Sequence, residues 1–127
     1  MVEFEKSDRC GYLVRKVNLP RATIMESLDF KNILEKDIEA GHHSIIIDLT
    51  DCGFLDSTFI GVLIVIWKKL KTKGGKLKFV KPGRFTKSIF HLTGTVEIFE
   101  SYETVDAAIG SFAVRIENYE PDFKFES

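Results

Sequence analysis

The chain has 127 residues, of which 44% are hydrophobic and 29% are charged, and its formal net charge is −1. A chain of this length can bury about two-thirds of its unfolded surface, which is enough for one core and too little for two independent domains. The longest run without a polar side chain, residues 59–67, is shorter than the ~20 residues that a membrane-spanning helix needs. No membrane crossing is therefore expected.

The near-zero net charge hides a segregation of charges along the chain. Residues 1–56 contain 7 basic and 11 acidic side chains, residues 57–96 contain 9 and none, and residues 97–127 contain 2 and 8. The basic block could bind nucleic acid, lipid headgroups or an acidic partner. Because its lysines have the spacing of a solvated face, we expect protein docking ahead of nucleic-acid binding.

The cysteines and the start of the chain indicate the cellular setting. Cys10 and Cys52 have neither CxxC spacing nor a nearby histidine pattern, so they predict neither a disulfide framework nor a zinc site. Residues 1–6 are charged and lack the apolar centre of a secretory signal. We expect a reduced, cytoplasmic protein without a cofactor.

The first predicted elements are a β-hairpin and a helix. Apolar stretches at residues 2–5 and 12–17 flank Gly11, a pattern typical of two antiparallel strands. Gly41 stands where a glycine ends a helix. We predict an amphipathic helix over residues 23–40. Its apolar residues at helical spacing are Ile24, Leu28, Leu34 and Ile38.

A buried strand and an apolar helix follow. Residues 44–49 form a β-branched run of the kind found in central strands that are buried on both faces. Residues 59–67 are apolar on every side, so periodicity does not separate helix from strand. Asp56 and Ser57 are N-cap types, and lysines suit the C-terminal end of a helix. We predict a helix over residues 57–73.

The remaining elements complete an α/β domain. Residues 76–80 predict a strand, and the order strand, helix, strand implies a parallel, right-handed crossover. We further predict a helix over residues 84–92, a strand over residues 96–100 and a helix that Ser101 caps and that runs to about Ile116. The sum is one domain over residues 1–116, with a mixed sheet of four or five strands and about four helices against it. Residues 117–127 form an acidic tail.

The sharpest local feature is the group Asp56-Ser57-Thr58 between the buried strand and the apolar helix. A serine at a helix N-terminus has free backbone N–H groups and the positive end of the dipole beside it. Asp56 or Ser57 could simply cap the helix. Because the helix is apolar all round, its side chains either emerge near Ser57 as a partner surface or are covered by neighbouring helices.

Other candidate groups have simpler explanations. Asp48, Asp51 and Asp56 could form a Mg²⁺ pocket, but no acidic pair follows the second predicted strand, so we interpret them as turn and cap carboxylates. No set of nucleophile, base and oxyanion donor is visible, so we do not expect an enzyme. The histidines lack a third ligand at a suitable spacing for a metal: His42, His43 and His91.

The chain resembles the STAS domain of bacterial anti-sigma factor antagonists. The similarity is close over about residues 44–109. The segments that carry it are Ile45-Ile46-Ile47-Asp48-Leu49, Phe54-Leu55-Asp56-Ser57-Thr58, Gly61-Val62-Leu63, Gly74-Gly75-Lys76-Leu77, Ile89-Phe90-His91-Leu92-Thr93-Gly94 and Ile98-Phe99.

The resemblance implies a protein-binding regulator that is switched by phosphorylation. In that family the unphosphorylated protein binds an anti-sigma factor that is also a serine kinase and so releases a sigma factor for transcription. A phosphatase that acts on the phosphorylated form regenerates the unphosphorylated protein. It implies that Ser57 is the phosphoacceptor, with Thr58 as second choice. The implied partner contacts are Asp56, Ser57, Thr58, Phe59 and Ile60.

The chain departs from the family pattern at two places. The family usually has Gly-Leu-Gly where this chain has Phe59-Ile60-Gly61, so we expect a large ring where a partner approaches. An acidic residue is usual just after the second strand, where this chain has Arg21, which allows a different partner. The competing hypothesis is a STAS-like regulatory module that binds a nucleotide or another anionic ligand near Ser57 without phosphorylation.

The expected effect of a phosphate follows from charge. At Ser57 it would add about −1.5 to −2 charges at a helix N-terminus, a position that the dipole favours. The fold should therefore tolerate it, and the switch should act at the partner interface. We also expect neighbouring lysines of the basic block to engage the phosphate.

Overall fold

The computed structural model describes the backbone of residues 2–119 and the side chains of residues 2–112. The α/β class is confirmed, with four α-helices and seven strands in this part of the chain. In chain order they are β1 Phe4–Arg9, β2 Tyr12–Val17, β3 Arg21–Ala22, α1 Ile24–Glu39, β4 Ser44–Asp48, β5 Phe54–Leu55, α2 Ser57–Thr72, β6 Lys76–Val80, α3 Arg84–Thr93, a 3-10 helix Thr95–Glu97, β7 Glu100–Tyr102 and α4 Val105–Tyr119.

Five strands form the mixed sheet in the order β1-β2-β4-β6-β7. The predicted hairpin is confirmed, since β1 pairs with β2 antiparallel, and every other neighbouring pair in this sheet is parallel. Cys10 and Gly11 connect β1 to β2 with φ angles of 56° and 85°. Two positive φ angles are typical of the type I′ turn, whose twist matches that of the strands it joins.

The sheet has helices on both faces, which explains the continuous apolar run of β4. Ile45 and Ile47 point into a large core shared with α1, α2 and α3. Ile46 points the other way, into a smaller core closed by Ala108 and Phe112 of α4. Successive side chains of a strand alternate between faces, so both alternating sets of β4 must be apolar.

The predicted first helix is confirmed, but its buried face differs from the expected one. Ile24 and Leu28 are 63% and 65% exposed, whereas Phe30, Leu34 and Ile38 are buried. Phe30 packs its ring against Phe4 with 4.6 Å between centroids. Burial of this large ring sets the rotation of α1 about its axis. With Phe30, Leu34 and Ile38 facing the core, Ile24 and Leu28 face solvent.

The prediction of a strand over residues 96–100 is wrong. Gly94 ends α3 in the left-handed conformation, with φ of 77°, and the chain then tightens into the 3-10 helix. The amides of Ile98 and Phe99 both donate to the carbonyl of Thr95, at 2.9 and 2.8 Å. This turn consumes the amides that a strand would need, so β7 begins only at Glu100.

The last helix begins later than predicted. Ser101 lies inside β7, so its predicted role as a cap is wrong, and the hydroxyl of Thr104 instead accepts the amide of Ala107 at 3.0 Å. The helix extends to Tyr119. The rest of the predicted acidic tail, residues 120–127, lies outside the described residues. No helix of residues 2–119 combines the length and apolar character that spanning a membrane requires.

The basic block is divided between two ends of the domain. Ser57 begins α2, while Lys68, Lys69 and Lys71 lie in its last turns, and a helix of this length spans about 24 Å. Lys68, Lys69 and Lys71 are therefore not the residues of the basic block that could engage a phosphate on Ser57, and the expectation for the rest of the block stays a prediction. The start of α3 lies on the side of Ser57, because Gly83 packs against Gly53 shortly before α2.

Candidate functional site

Asp56 joins the N-termini of two helices. Its Oδ1 atom accepts the amide of Phe59 in α2 at 2.9 Å, and its Oδ2 atom accepts the amide of Ile24 in α1 at 2.8 Å. The first amides of a helix have no partner within the helix, and they carry the positive end of its dipole. One carboxylate therefore stabilises both helix starts and holds them side by side.

A short ladder of backbone bonds brings these two starts together. β3 pairs with β5 in parallel, with Arg21 opposite Phe54 and Ala22 opposite Leu55. The amide of Asp56 then donates to the carbonyl of Ala22 at 3.1 Å. Strands of two residues are too short to show a period, so no pattern along the chain predicts this ladder.

Ser57 and Thr58 are exposed in the first turn of α2. Their position at a helix N-terminus is as predicted, and Asp56 rather than either hydroxyl caps the helix. An anion on Ser57 would lie beside free amides and the positive end of the dipole. The hydroxyl is thus accessible to an enzyme, and its surroundings favour a negative charge.

Phe59 and Ile60 do not belong to the surface beside Ser57. Both side chains are buried, contrary to the expectation that they contact a partner. The ring of Phe59 stacks on Phe30 with 4.8 Å between centroids and lies 6.4 Å from that of Phe4. The ring expected in the path of a partner instead fills the core, because position 59 faces the sheet.

Apolar side chains near Ser57 come from α1. Ile24, Met25 and Leu28 are 63%, 81% and 65% exposed, and we call these three residues the α1 patch. Asp56 bonds the amide of the first of them, so the patch starts next to the helix that carries Ser57. The sequence contains an indication of this exposed patch. Ile24 and Leu28 are spaced i, i+4 and share one helix face, which differs from the face that Phe30, Leu34 and Ile38 bury.

An aromatic pair extends this surface toward α3. Phe54 of β5 stacks on Phe85 of α3 with 4.9 Å between ring centroids. The guanidinium of Arg21 lies 4.1 Å from the centroid of Phe54, a cation–π distance. Phe85 is half-exposed. Arg21 stands where the family usually has an acidic residue. Its guanidinium is therefore held against the ring of Phe54, which lies two residues before Asp56.

Asp48 and Asp56 have the turn and cap roles that we predicted, whereas Asp51 forms an ion pair. Asp48 accepts the amide of Thr50 at 3.0 Å in a turn. Asp51 pairs with Lys16 at 3.0 Å, and its hydrogen bond raises the pKa of that lysine. Among the described residues no three His, Cys, Asp or Glu side chains are grouped closely enough to hold a metal ion. The three carboxylates thus serve a turn, an ion pair and a cap.

A surface cavity of about 500 Å³ lies away from Ser57, between β1 and α1. Its wall includes Arg15, which is bound to both oxygens of buried Asp37 at 2.9 and 2.8 Å and to the carbonyl of Phe4. A guanidinium with its donors so occupied has little capacity for a ligand. The surface beside Ser57 is accordingly the better candidate for function.

The profile of the STAS domain matches residues 23–108. The chain belongs to the STAS domain family. The match begins at the cap of α1 and ends in α4, so it contains the Asp56 bridge, Ser57 and the α1 patch. The predicted family and fold class are confirmed.

Individual relatives agree with this assignment. Over 95 residues this STAS domain is 26% identical to a Thermotoga maritima protein that is itself only predicted to be an anti-sigma factor antagonist, covering 75% of this chain and 80% of the relative. A STAS domain protein of Planctomyces limnophilus has the same fold, with a TM-score of 0.81, 18% identity and coverage of 88% and 99%. The Bacillus cell fate determinant SpoIIAA, solved in its phosphorylated form, superimposes with a TM-score of 0.69, 14% identity and coverage of 86% and 98%.

Proposed function

We propose that this STAS domain is an anti-sigma factor antagonist that is switched by phosphorylation of Ser57. In its unphosphorylated form it binds an anti-sigma factor with serine-kinase activity and so releases a sigma factor for transcription, and a phosphatase restores it after phosphorylation. The observation that carries the proposal is the exposed Ser57 hydroxyl at the start of α2, directly after Asp56 and beside the α1 patch.

The surroundings of Ser57 supply what protein docking needs. Met25 is 81% exposed at the start of α1, and methionine adapts its shape to a partner surface. Arg21 and the stacked rings of Phe54 and Phe85 add the aromatic and guanidinium groups that are enriched in protein interfaces. We propose that Asp56, Ser57, Thr58 and these groups contact the partner.

Phosphate on Ser57 would prevent docking without unfolding the domain. The dianion would be stabilised by the first amides of α2. In a docked complex it would lie among apolar side chains, where a charge without a partner is costly. The free domain would thus remain folded while the complex is destabilised.

The proposal is tested by incubating the protein with the host's kinase-like anti-sigma factors and ATP and locating the phosphate by mass spectrometry. We expect modification of Ser57 alone, none in Ser57→Ala, and unchanged modification in Thr58→Ala. Modification elsewhere would contradict the proposal. No modification by any candidate, together with nucleotide-dependent thermal stabilisation, would favour a ligand-binding module instead.

A further inference from the structure

We propose that the carboxylate of Asp56 is a positioning group that transmits the state of Ser57 to the first turn of α1. Its two oxygens bind the amides of Phe59 and Ile24 at 2.9 and 2.8 Å. A single rigid group thus links the helix that carries the switch to the helix that carries the α1 patch. The inference rests on the proposed function only for the statement that Ser57 is phosphorylated in the cell.

The amide of Ile24 depends on Asp56 because the other caps of α1 serve other amides. The Thr23 hydroxyl accepts from Met25 at 3.2 Å, and the Glu26 carboxylate accepts from Thr23 at 2.9 Å. Asp56 also donates its own amide to the carbonyl of Ala22. The start of α1 is therefore tied to residue 56 by a backbone bond just before the helix and by a side-chain bond at its first residue.

A phosphate on Ser57 would disturb this link in two ways that act together. It adds about −1.5 to −2 charges on the residue next to the carboxylate, and like charges repel. Its oxygens also accept hydrogen bonds from the first amides of α2, where the Asp56 carboxylate is already bound. A carboxylate displaced from α2 carries its second oxygen away from Ile24.

Loss of the bond to Ile24 would alter the contact surface itself. Ile24 and Met25 are the first two residues of α1, and both are exposed. Their positions depend on how the first turn is held. Phosphorylation would then change the orientation of the α1 patch as well as the charge at Ser57. Both changes would weaken binding of a partner.

The test follows the Ile24 amide by NMR in the full chain, with and without phosphoserine at position 57. The phosphoserine is installed during translation, so that no kinase is needed. We expect the phosphate to move the Ile24 amide proton upfield and to raise its exchange rate about tenfold, the size of one lost charge-assisted bond. The amide of Ile46, in the buried strand β4, serves as an internal reference.

Two variants distinguish an effect that passes through the Asp56 carboxylate from a general destabilisation of the first turn of α1. Asp56→Ser keeps an oxygen that can cap α2 but has no second oxygen for Ile24. We expect its Ile24 amide to exchange rapidly and to be unaffected by phosphoserine. Thr23→Ala is the matched control, because it weakens the same helix start and leaves Asp56 in place, so its Ile24 amide should still respond to the phosphate.

Two results would overturn the inference: an Ile24 amide that does not respond to phosphoserine in the natural sequence, or one that responds equally in Asp56→Ser. The proposed function fails separately. If the amide response is found and requires Asp56, yet no host kinase modifies Ser57, transmission through the carboxylate stands and the phosphorylation proposal is wrong.

Discussion

At the scale of single residues, Ser57 lies between neighbours whose side chains are already engaged in hydrogen bonds or in the core. Asp56 on one side is engaged by two helices, and Phe59, two positions further, is packed in the core. Only Ser57 and Thr58 offer polar groups to a partner from the first turn of α2. A change at Ser57 should therefore alter binding far more than folding.

This yields a prediction for charge at position 57. Ser57→Asp should retain native circular dichroism, since the helix dipole tolerates a carboxylate there, and should weaken binding to the partner kinase tenfold or more, because the charge must be desolvated. Ser57→Ala should preserve both properties. Titration calorimetry with the kinase measures the difference, and a Ser57→Asp protein that binds as tightly as the natural sequence would refute the switch.

The two cysteines provide a second prediction at this scale. Burial raises the pKa of the Cys52 thiol, whereas Cys10 is exposed in the hairpin turn. Because the thiolate is the reactive form, a thiol reagent at pH 8 should modify Cys10 about 100-fold faster than Cys52. Absorbance kinetics with a disulfide reagent measure both rates. Equal rates in the folded protein would show that Cys52 is not protected, and equal rates in urea are the control.

The same shift has a defined dependence on pH. Since the folded protein holds Cys52 as the neutral thiol, this group stabilises the fold fully at neutral pH, and the contribution is lost as the pH rises through the raised pKa. The effect should be absent from Cys52→Ala, which provides the comparison in unfolding measurements above pH 9.

At the scale of elements, α4 is attached to the sheet around a buried cation. Lys78 of β6 is 1% exposed, and its Nζ atom lies 2.7 Å from the hydroxyl of Ser111 and 2.9 Å from the carboxylate of Glu100. The ring centroid of Phe112 is 4.3 Å from the same atom. Ion pair, hydrogen bond and cation–π contact all converge on one side chain, so α4 depends on it.

The importance of this attachment can be measured by substitution. Lys78→Ala should lower the free energy of unfolding by about 2–4 kcal/mol, through the cavity and the lost contacts to α4. Lys78→Met fills the space without the charge and should cost about 1 kcal/mol or less, because a hydrophobic group often replaces a buried ion well. Urea unfolding tests both. A cost in Lys78→Ala below that of Lys78→Met would exclude Lys78 as the attachment point.

The elements also show what sequence reasoning can reach. The helix over residues 57–73 was predictable, because Asp56 and the terminal lysines mark its ends even where periodicity fails. The pair β3 and β5 was not, since two residues carry no pattern. The apolar residues within 96–100 led to a wrong prediction of a strand. They belong to a tight turn that packs on the core and is held by the carbonyl of Thr95. Ser57 was predicted as the phosphoacceptor through resemblance and stays a prediction, whereas the Asp56 bridge depends on tertiary contact, which no local pattern indicates.

At the scale of the whole molecule, the proposed function makes a difference between exposed apolar groups that lie beside Ser57 and those that lie elsewhere. Met25 and Leu92 are equally exposed, at 81% and 82%, but only Met25 lies at a helix start that Asp56 joins to α2. Leu92 lies in the last turn of α3. The two residues therefore form a natural pair for separating docking from general surface effects.

We expect Met25→Glu to weaken binding of the partner kinase about 30-fold, the cost of an apolar contact in the centre of an interface. Leu92→Glu should leave binding unchanged. Neither substitution should shift the free energy of unfolding by more than about 0.5 kcal/mol, because both sites are on the surface. Surface plasmon resonance measures the affinities. Equal losses in both variants would place the docking surface elsewhere.

The length of α2 has a consequence for signalling through the molecule. Lys68, Lys69 and Lys71 lie 11 to 14 residues after Ser57 in α2, a separation of about 17–21 Å along the helix axis, which is about two to two and a half Debye lengths at physiological ionic strength. Solvent ions would screen a phosphate at one end before its field reached the other. If Ser57 is phosphorylated as proposed, the phosphate would have little electrostatic effect at the lysine end, and a contact made there would be kept in both states of Ser57.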